Sequence, residues 1–294
     1  MKICIKCAQN FSTEWRICIG CGYEQTMINN IEVHAPEFAN SGGGFKAEYF
    51  SELARLERDN FWFRARNDLI LWAFSKYKPN AQNFLEVGCG TGFVLSGVAE
   101  LYPRMPLTGS EIFLEGLSYA SSRVPSAKLL QMDARQIPFI NEFDVIGAFD
   151  VLEHIEEDEA VLSQLHKALK PDGVLLLTVP QHPRLWSTAD EYACHIRRYT
   201  CAEIEMKIRK AGFQTLKNTS FVTLLLPAMM LSRLMQKKNK LGYDPVDEFK
   251  LSPFLNKLFY AFMRLEFFGV RLGLSYPVGG SRLVVAKKID NFQS

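Results

Sequence analysis

The sequence lacks the features that mark several broad classes of protein. Its 34 basic and 32 acidic residues leave a formal net charge of only +2, which argues against general nucleic-acid binding without excluding a local basic patch. A membrane-spanning helix needs about 18 consecutive apolar residues. The longest uncharged stretch near the C-terminal end, residues 218–232, is shorter and contains Pro227, so we predict no spanning helix.

An export signal and internal repeats are also missing. The N-terminus, Met1-Lys2-Ile3-Cys4, has no apolar segment of the kind that a signal peptide requires, so the expected location is cytoplasmic. The composition, with 48% hydrophobic and 22% charged residues, is typical of a packed globular core. A length of 294 residues allows one large domain with small additions.

Three zones of different composition follow one another. Residues 1–24 hold four paired cysteines, and the polar residues 25–44, which end in Ser41-Gly42-Gly43-Gly44, are typical of a flexible linker. From residue 45 to 294 strand and helix signals alternate, beginning with one long helix at 50–77. This alternation predicts an α/β domain with a doubly wound, mainly parallel sheet, with strands at 84–87, 107–110, 129–132, 143–148, 174–179, 213–219 and 281–287.

Three glycines alternate directly after the first of these strands, in the segment Leu85-Glu86-Val87-Gly88-Cys89-Gly90-Thr91-Gly92. Glycine tolerates positive φ and lets a ligand approach the backbone closely, and the following helix offers its N-terminal amides. This pattern predicts a nucleotide-type ligand at the switch point of an open sheet. The dinucleotide fingerprint has two residues before its third glycine, whereas here only Thr91 separates Gly90 from Gly92.

Acidic residues around the loop indicate which ligand it holds. Glu86 directly precedes the loop, where a carboxylate repels a pyrophosphate and attracts a cation. Glu111 ends the second strand and could accept hydrogen bonds from a ribose diol. Asp133 follows the third strand, where it could accept from an adenine amino group, and Asp150 follows the fourth. These charges favour S-adenosylmethionine, which has an ammonium and a sulfonium group and no phosphate, over NAD.

An ordered series of motifs across residues 83–180 resembles that of class I S-adenosylmethionine-dependent methyltransferases: the glycine loop, Asp133-Ala134, Phe143-Asp144-Val145, Val151-Leu152-Glu153-His154-Ile155 and Leu169-Lys170-Pro171-Asp172-Gly173. The resemblance implies a Rossmann-like, seven-stranded sheet whose last strand is antiparallel. It also implies methyl transfer and a cofactor site, for which we expect Glu86, Gly88, Cys89, Gly90, Gly92, Glu111, Ile112, Asp133, Ala134, Asp150 and Val151.

Two polar groups of residues are candidates for the chemistry. Asp150, Glu153 and His154 are similar to a motif of ubiquinone-pathway O-methyltransferases in which carboxylates and a histidine bind a divalent ion, although that family has Glu where this chain has Asp150. The resemblance therefore implies a divalent cation near these three residues. A general-base role for His154, or local hydrogen bonds that only cap a helix, are the alternatives.

The second group lies in the loop after the fifth strand, residues 180–200, which resembles the corresponding loop of bacterial methyltransferases of lipid, quinone or surface-glycan pathways. His182 or His195 could serve as general base there. Arg197 and Arg198 could bind an anionic group on the methyl acceptor or anchor the loop. The candidate catalytic residues are therefore His154, His182 and His195.

The cysteine pairs near the N-terminus predict a metal site. Two Cys-x-x-Cys knuckles are separated by ten residues and are formed by Cys4, Cys7, Cys18 and Cys21. Four thiolates suit a tetrahedral structural Zn²⁺, and the segment resembles a zinc ribbon. A module of this size depends on its metal for folding, and a closed four-cysteine site suggests docking to a protein partner or to the rest of the chain. Unrelated free thiols are the alternative.

A helical insertion at about residues 221–275 precedes the last strand. It is predicted either as a lid packed over the cleft or as a surface that meets a membrane or a lipid-like acceptor. The aromatic helix around residues 61–66 either covers the cofactor or acceptor or belongs to the core.

The resulting hypothesis is an S-adenosylmethionine-dependent methyltransferase that acts on a small-molecule or lipid-linked acceptor. Nucleic acid is not an expected partner, and peripheral membrane contact is an open alternative. Two rival functions remain at this point: a zinc-ribbon scaffold with a non-catalytic S-adenosylmethionine site, and an NAD-dependent oxidoreductase, against which the glycine spacing and Glu86 argue.

Overall fold

The computed structural model describes residues 1–11, 15–40, 49–236 and 251–289, without the side chains of 234–236. The helices and strands in these ranges are, in chain order, β1 (Lys2–Ile3), β2 (Asn10–Phe11), β3 (Thr26–Ile28), β4 (Ile31–Val33), α1 (Phe50–Leu56), α2 (Phe61–Tyr77), β5 (Phe84–Val87), α3 (Phe93–Leu101), β6 (Leu107–Glu111), α4 (Leu114–Arg123), β7 (Lys128–Gln131), β8 (Phe143–Phe149), α5 (Asp158–Ala168), β9 (Leu169–Pro180), α6 (Thr188–Tyr192), α7 (Cys201–Lys210), β10 (Phe213–Phe221), α8 (Leu226–Gln236), α9 (Pro253–Arg271) and β11 (Ser281–Lys288).

A nine-stranded sheet forms the centre of the molecule, in the spatial order β10-β11-β9-β8-β5-β6-β7-β4-β3. The five strands from β7 to β9 in this order are parallel, whereas β11 runs antiparallel to both of its neighbours. The seven strands from β10 to β7 therefore confirm the α/β sheet with a reversed last strand that the family resemblance implied.

The two additional strands correct the prediction of a linker at residues 25–44. β4 pairs in parallel with β7, with Glu32 opposite Leu130 and Val33 opposite Gln131, and β3 pairs antiparallel with β4. Ile31 and Val33 are buried by this pairing, so an alternating apolar pattern of only three residues extends the sheet. Residues 41–44, the glycine end of the predicted linker, lie outside the described residues.

The single helix predicted at residues 50–77 is in fact two helices. α1 ends at Leu56, and Asn60 takes an extended backbone conformation before α2 begins. The Asn60 side chain accepts a hydrogen bond from the Trp62 amide at 2.9 Å, which is the N-cap interaction that asparagine commonly supplies. After the break the two helices have different neighbours: α1 contacts α4, whereas α2 contacts α3, α9 and β9.

Hydrophobic clusters cover both faces of the sheet. One cluster joins it to α2, α3 and α4 and includes Met263 and Val270 of α9, and the other joins it to α5 and α7. Helices on both faces explain why β5 and β8 are buried along nearly their whole length rather than at alternate residues. α9 lies on α2 through aromatic contacts, with the Phe61 and Phe259 ring centroids 5.3 Å apart. No helix among the described residues is long and apolar enough to cross a membrane.

Candidate active site

A cavity of about 940 Å³ opens at the carboxyl ends of the parallel strands. This is the edge at which open α/β sheets bind their ligands. Its floor is the loop after β5 together with the ends of β6, β7 and β8, and its walls come from α1, α2, the loop after β9, and α8. The predicted cofactor residues and two of the three predicted catalytic histidines line this one cavity, with the exception of Gly92.

The glycine loop that follows β5 has the left-handed backbone that its sequence predicts. Gly88, Gly90 and Gly92 have φ values of +71°, +51° and +77°. A Cβ on Gly88 would lie 2.5 Å from Cγ2 of Val151, and one on Gly92 would lie 3.0 Å from Ala120. Close packing and positive φ therefore both require glycine at these two positions, and Gly92 directly precedes α3.

Glu111 holds this loop in place from the end of β6. Its carboxylate accepts hydrogen bonds from the backbone amides of Gly90 at 3.0 Å, Ile112 at 2.8 Å and Phe113 at 3.3 Å. Burial raises the pKa of Glu111, although these amide bonds oppose the rise. Carboxylate oxygens accept more than one hydrogen bond each, so these contacts leave capacity for a ribose hydroxyl.

Glu86, at the end of β5, is a buried acid whose carboxyl group has few polar partners to offset the cost of its burial. Its side chain lines the cavity, yet Oε2 has no hydrogen-bond partner among the described residues. Burial raises the pKa of Glu86 to about 8, against the opposing charge of Arg66. A buried carboxyl that lacks a partner is costly, and a cationic ligand in the cavity would supply one.

The Asp133 carboxylate also reaches the cavity but is held by an arginine. Arg135 donates to it from Nε at 3.0 Å and from Nη2 at 2.8 Å. The same guanidinium lies 3.2 Å from Glu157 and 5.6 Å from the centre of the Phe38 ring. The adenine contact of Asp133 stays a prediction, and Arg135 is a cavity residue that belongs to none of the sequence motifs.

Asp150 forms an ion pair with Arg66 of α2. The Arg66 guanidinium in turn lies 4.7 Å from the centre of the Trp62 ring. Asp150 has a positive φ of 58°, and its backbone amide donates a hydrogen bond to the Thr178 carbonyl at 3.0 Å. Because Arg66 neutralises Asp150, the structure does not favour Asp150 as a ligand of a divalent cation. It also shows that the helix containing Trp62 forms a wall of the cavity.

The structure brings together the two polar groups that are distant in sequence. Glu153, His154 and His195 offer ligand or proton-accepting atoms that all lie within 4.8 Å of one another. His195 Nε2 lies 3.8 Å from the Glu153 carboxylate, and its ring centroid lies 4.9 Å from that of His154. On the other side, His195 Nδ1 lies 2.9 Å from Oδ1 of Asp190.

The environment sets the protonation of this cluster. Burial, reinforced by the charge of Asp150, raises the pKa of Glu153 well above its usual range, and neither Glu153 carboxyl oxygen has a hydrogen-bond partner among the described residues. Burial and the neighbouring His195 lower the pKa of His154 to about 3. Burial alone would raise the pKa of Asp190, but the hydrogen bond with His195 and the charge of Arg198 lower it. Asp190 is thus the ionised acid beside His195.

His182 is placed differently from the other two histidines, because it is not among the residues that line the cavity. Its backbone has a φ of +62°, and its amide donates to the Tyr199 carbonyl at 2.9 Å.

The two arginines of the loop after β9 form ion pairs within the protein itself. Arg197 pairs with Asp158 at 2.8 Å, and Arg198 donates to Asp190 at 2.7 Å. These contacts favour the anchoring role over binding of an acceptor anion.

The four N-terminal cysteines converge as their spacing predicts. Sγ of Cys4 lies 3.7 Å from that of Cys21, and Sγ of Cys7 lies 3.5 Å from that of Cys18. All four sulfurs lie within 4.8 Å of one another. Zn–S bonds of about 2.3 Å in a tetrahedron place sulfurs ~3.8 Å apart, so the spacing fits a zinc ion. A disulfide would need a much shorter distance, about 2.05 Å.

The helical insertion borders the same cavity. Ala228 and Met229 of α8 and Phe259 of α9 are among its lining residues. Glu266 of α9 accepts hydrogen bonds from the backbone amides of Thr223 and Leu224 at 2.7 and 2.9 Å, which fixes α9 to the start of the insertion. The described part of the insertion therefore borders one side of the cavity, and its role as a lid stays a prediction.

Comparisons with known proteins assign this architecture to a family. A family model described as "Methyltransferase domain" matches residues 55–218. A probable S-adenosylmethionine-dependent methyltransferase of Mycolicibacterium smegmatis is 24% identical over 162 residues, which cover 54% of this chain and 62% of that protein. A ubiquinone/menaquinone biosynthesis C-methyltransferase of Desulfotalea psychrophila is 29% identical over 107 residues, 35% of this chain and 44% of that protein. The chain spans less than two thirds of the length of these curated relatives.

Solved structures agree at the level of the fold. A possible histamine N-methyltransferase of Thermotoga maritima aligns with a TM-score of 0.52 at 16% identity and covers 82% of this chain and 95% of its own. Phosphoethanolamine N-methyltransferase 2 of Haemonchus contortus, solved with S-adenosyl-L-methionine, aligns with a TM-score of 0.51 at 19% identity and covers 75% of this chain and 52% of its own. At these identities the likeness shows a shared fold.

Proposed function

Because the chain belongs to the family of methyltransferase domains, we propose that it transfers a methyl group from S-adenosylmethionine to a small-molecule or lipid-linked acceptor. The observation that carries the proposal is Glu86, a buried carboxyl with an unpartnered oxygen beside a left-handed glycine loop. Its charge, when ionised, complements the ammonium group of S-adenosylmethionine. The pyrophosphate of a dinucleotide would instead meet the Glu86 carboxylate and be repelled.

The residues that would hold S-adenosylmethionine come from the ends of four adjacent strands. Glu86, Glu111 and Asp133 supply the acceptor groups, and the glycine loop supplies a close backbone surface. When bound, S-adenosylmethionine supplies a methyl group that its sulfonium already activates. The protein then has to orient the acceptor in line and to accept its proton. Smaller contacts in the same proposal come from Gly88, Cys89, Gly90, Ile112, Ala134, Asp150 and Val151, whereas Gly92 lies outside the cavity lining.

His195 is the proposed proton acceptor. It lines the cavity, and its Nδ1 lies 2.9 Å from Oδ1 of Asp190, which fixes the orientation of the ring. His154 packs edge-on against it and stays neutral, because the pKa of His154 is lowered to about 3. His154 and Asp190 are therefore proposed as positioning residues. His182, outside the cavity lining, is left out of this assignment.

A divalent cation held by Glu153, His154 and His195 is a second use of the same groups, favoured by the closeness of their ligand atoms. Two imidazoles and one carboxylate suit a transition metal better than Mg²⁺. The general-base role and the cation site are distinguished by the effect of a chelator on methyl transfer. If a cation is required, chelation stops methyl transfer and one transition metal restores it, whereas a general base needs no such metal.

The acceptor is proposed to be apolar or amphiphilic over part of its length. The cavity walls include Phe61, Trp62, Leu225 and Met229, and apolar walls with a few polar groups are typical of small-molecule sites. One relative is the malonyl-[acyl-carrier protein] O-methyltransferase of Halalkalibacterium halodurans, 28% identical over 111 residues. An acyl-linked or isoprenoid-like acceptor would use the same apolar wall.

We also propose that Cys4, Cys7, Cys18 and Cys21 hold one structural Zn²⁺. The four sulfurs leave no open coordination position, so a role in folding and docking is expected rather than catalysis. The segment already docks on its own chain, since the Ile3 amide donates to the Pro138 carbonyl at 3.0 Å. A protein partner would bind the face that this contact leaves exposed.

The proposed function is tested with tritium-labelled S-adenosylmethionine. The purified, zinc-loaded protein is incubated with a panel of quinone precursors, acyl thioesters and lipid-linked sugars, and transfer of label is measured. Transfer to one class, lost in Gly90→Asp, supports the proposal. Isothermal titration with S-adenosylhomocysteine separates the rivals. Binding without transfer to any acceptor would favour the scaffold, and binding of NADH alone would favour the oxidoreductase.

A further inference from the structure

The outer side of α9 exposes a continuous stripe of large apolar side chains. Six of them have 38–73% of their surface accessible, and together they form what we term the α9 apolar face: Phe254, Leu258, Phe262, Leu265, Phe268 and Leu272. They follow one another at intervals of three or four residues, which places them on one side of a helix. The opposite side of α9 is already used, because Met263 and Val270 are buried in the core.

The exposed charges of α9 itself have one sign, and one of them, Arg264, lies 3.7 Å from Asp68 of α2. Lys257, Arg264 and Arg271 recur every seven residues along α9, so they form a line beside the apolar face rather than within it. The only acidic residue of α9 is Glu266, which is buried and bound to backbone amides. α8 has no acidic residue at all. This arrangement suits a surface of negative charge with an apolar interior.

From this juxtaposition we propose that α9 lies in the interface of a membrane with anionic phospholipids, with the α9 apolar face among the acyl chains and the basic line at the headgroups. In-plane amphipathic helices bind in this way, and each basic residue near an anionic surface adds to the attraction. α9 has 19 residues, so it would lie along about 28 Å of membrane surface. Spanning is not part of the proposal.

The location of α9 beside the cavity relates the proposed membrane contact to the active site. Phe259, one position after Leu258 of the apolar face, lines the cavity. α8 has the same two-sided character, since Met230 and Leu231 are exposed while Met229 lines the cavity. The two helices therefore separate the cavity from the exposed apolar surface, where an amphiphilic acceptor would be presented. The membrane contact itself does not depend on methyl transfer and can be measured without it.

The test is flotation of the full-length, zinc-loaded protein with vesicles. Vesicles of phosphatidylcholine containing phosphatidylglycerol are compared with pure phosphatidylcholine, at low and high salt. We expect partitioning into the anionic vesicles that weakens with salt. The double variant Leu265→Ser and Leu272→Ser is expected to partition at least tenfold more weakly, and Lys257→Gln with Arg271→Gln is expected to lose the preference for anionic vesicles.

A matched control changes apolar residues that are exposed elsewhere. Ile19→Ser with Leu101→Ser removes side chains that are 86% and 44% accessible but lie in the cysteine segment and at the end of α3, so partitioning should be unchanged. Equal loss in this control, or no binding of the wild type to anionic vesicles, would overturn the proposal. So would sedimentation showing that the wild type is a dimer and the Leu265→Ser, Leu272→Ser variant a monomer, because a second copy would then cover the face.

Discussion

Replacement of Glu86 by glutamine tests the electrostatic basis of cofactor selection. The Glu86 carboxyl is 2% accessible, and its pKa is raised to about 8 by burial. In the ligand-free protein at pH 7 it is therefore mostly protonated. A cationic amino group that binds beside it must displace that proton, so binding of S-adenosylhomocysteine should release a proton and strengthen as the pH rises.

The size of the effect follows from that pKa. About a tenth of Glu86 side chains are ionised at pH 7 and about half at pH 8, so affinity should rise about fivefold between these values and about tenfold from pH 6 to pH 7. Roughly 0.9 proton should be released per ligand at pH 7. In Glu86→Gln both effects should vanish, and loss of the charged partner should weaken binding thirtyfold to a hundredfold above pH 8, or about 2–3 kcal/mol.

The stability of the ligand-free protein should fall as the pH rises, whereas its affinity for the ligand should increase. The ordinary pKa of a glutamate is 4.5, and that of Glu86 in the folded protein is about 8. Between these two pH values the unfolded chain loses the Glu86 proton while the folded chain keeps it, so the free energy of unfolding falls as the pH rises. Glutamine removes this dependence, which amounts to about 3 kcal/mol at pH 7. The ligand-free variant should therefore melt no lower than the wild type, and its weaker binding would not be a consequence of unfolding.

Isothermal titration in two buffers with different ionisation enthalpies measures both affinity and proton release. The exposed Glu100 of α3 provides the matched control, and Glu100→Gln should behave as the wild type does. Affinity that is independent of pH in the wild type, or a Glu86→Gln variant that binds as tightly as the wild type, would refute the assignment of Glu86 to the ammonium group.

Three further predictions concern the loop, the proton acceptor and the zinc site. Gly88→Ala should lower stability by about 1–3 kcal/mol and weaken cofactor binding, and Val151→Ala added to it should restore part of the loss in thermal denaturation; no destabilisation would contradict the contact. His195→Ala should lower kcat by about 10²–10⁴-fold while leaving the Kd of S-adenosylhomocysteine unchanged, with Asp190→Asn showing a smaller loss; an unchanged kcat would exclude the role. Cys4→Ser should reduce zinc from one ion per chain to none by elemental analysis, whereas Cys201→Ser should retain it, and equal zinc in both would exclude the four-cysteine site.

The central part of the fold could be predicted because its signals are local. Strands such as β5 and β8 are short apolar runs, and the glycine loop directly follows β5, so spacing alone located them. β3 and β4 were missed because strands of three residues have almost no periodic signal. Their position depends on pairing with β7 and on the Gln131 side chain, which donates to the Ala35 carbonyl at 2.7 Å, and such long-range contacts leave no trace in the local pattern.

The candidate site could be predicted residue by residue but not as a geometry. Glu153 and His195 were both identified as candidates, yet nothing in the sequence indicates that residues 42 positions apart lie 3.8 Å from each other. The arginines were harder still. Arg66 and Arg135 neutralise Asp150 and Asp133, and both pairings depend on how side chains turn in the folded chain, which sequence spacing does not record.

The most direct test of the account is the crystal structure of the complex with S-adenosylhomocysteine. We expect the ligand in the cavity at the ends of β5 and β6, with its amino group within hydrogen-bond distance of Glu86 and its ribose hydroxyls against Glu111. A ligand bound elsewhere, or one in this cavity that leaves the Glu86 carboxyl without a cationic partner, would contradict it.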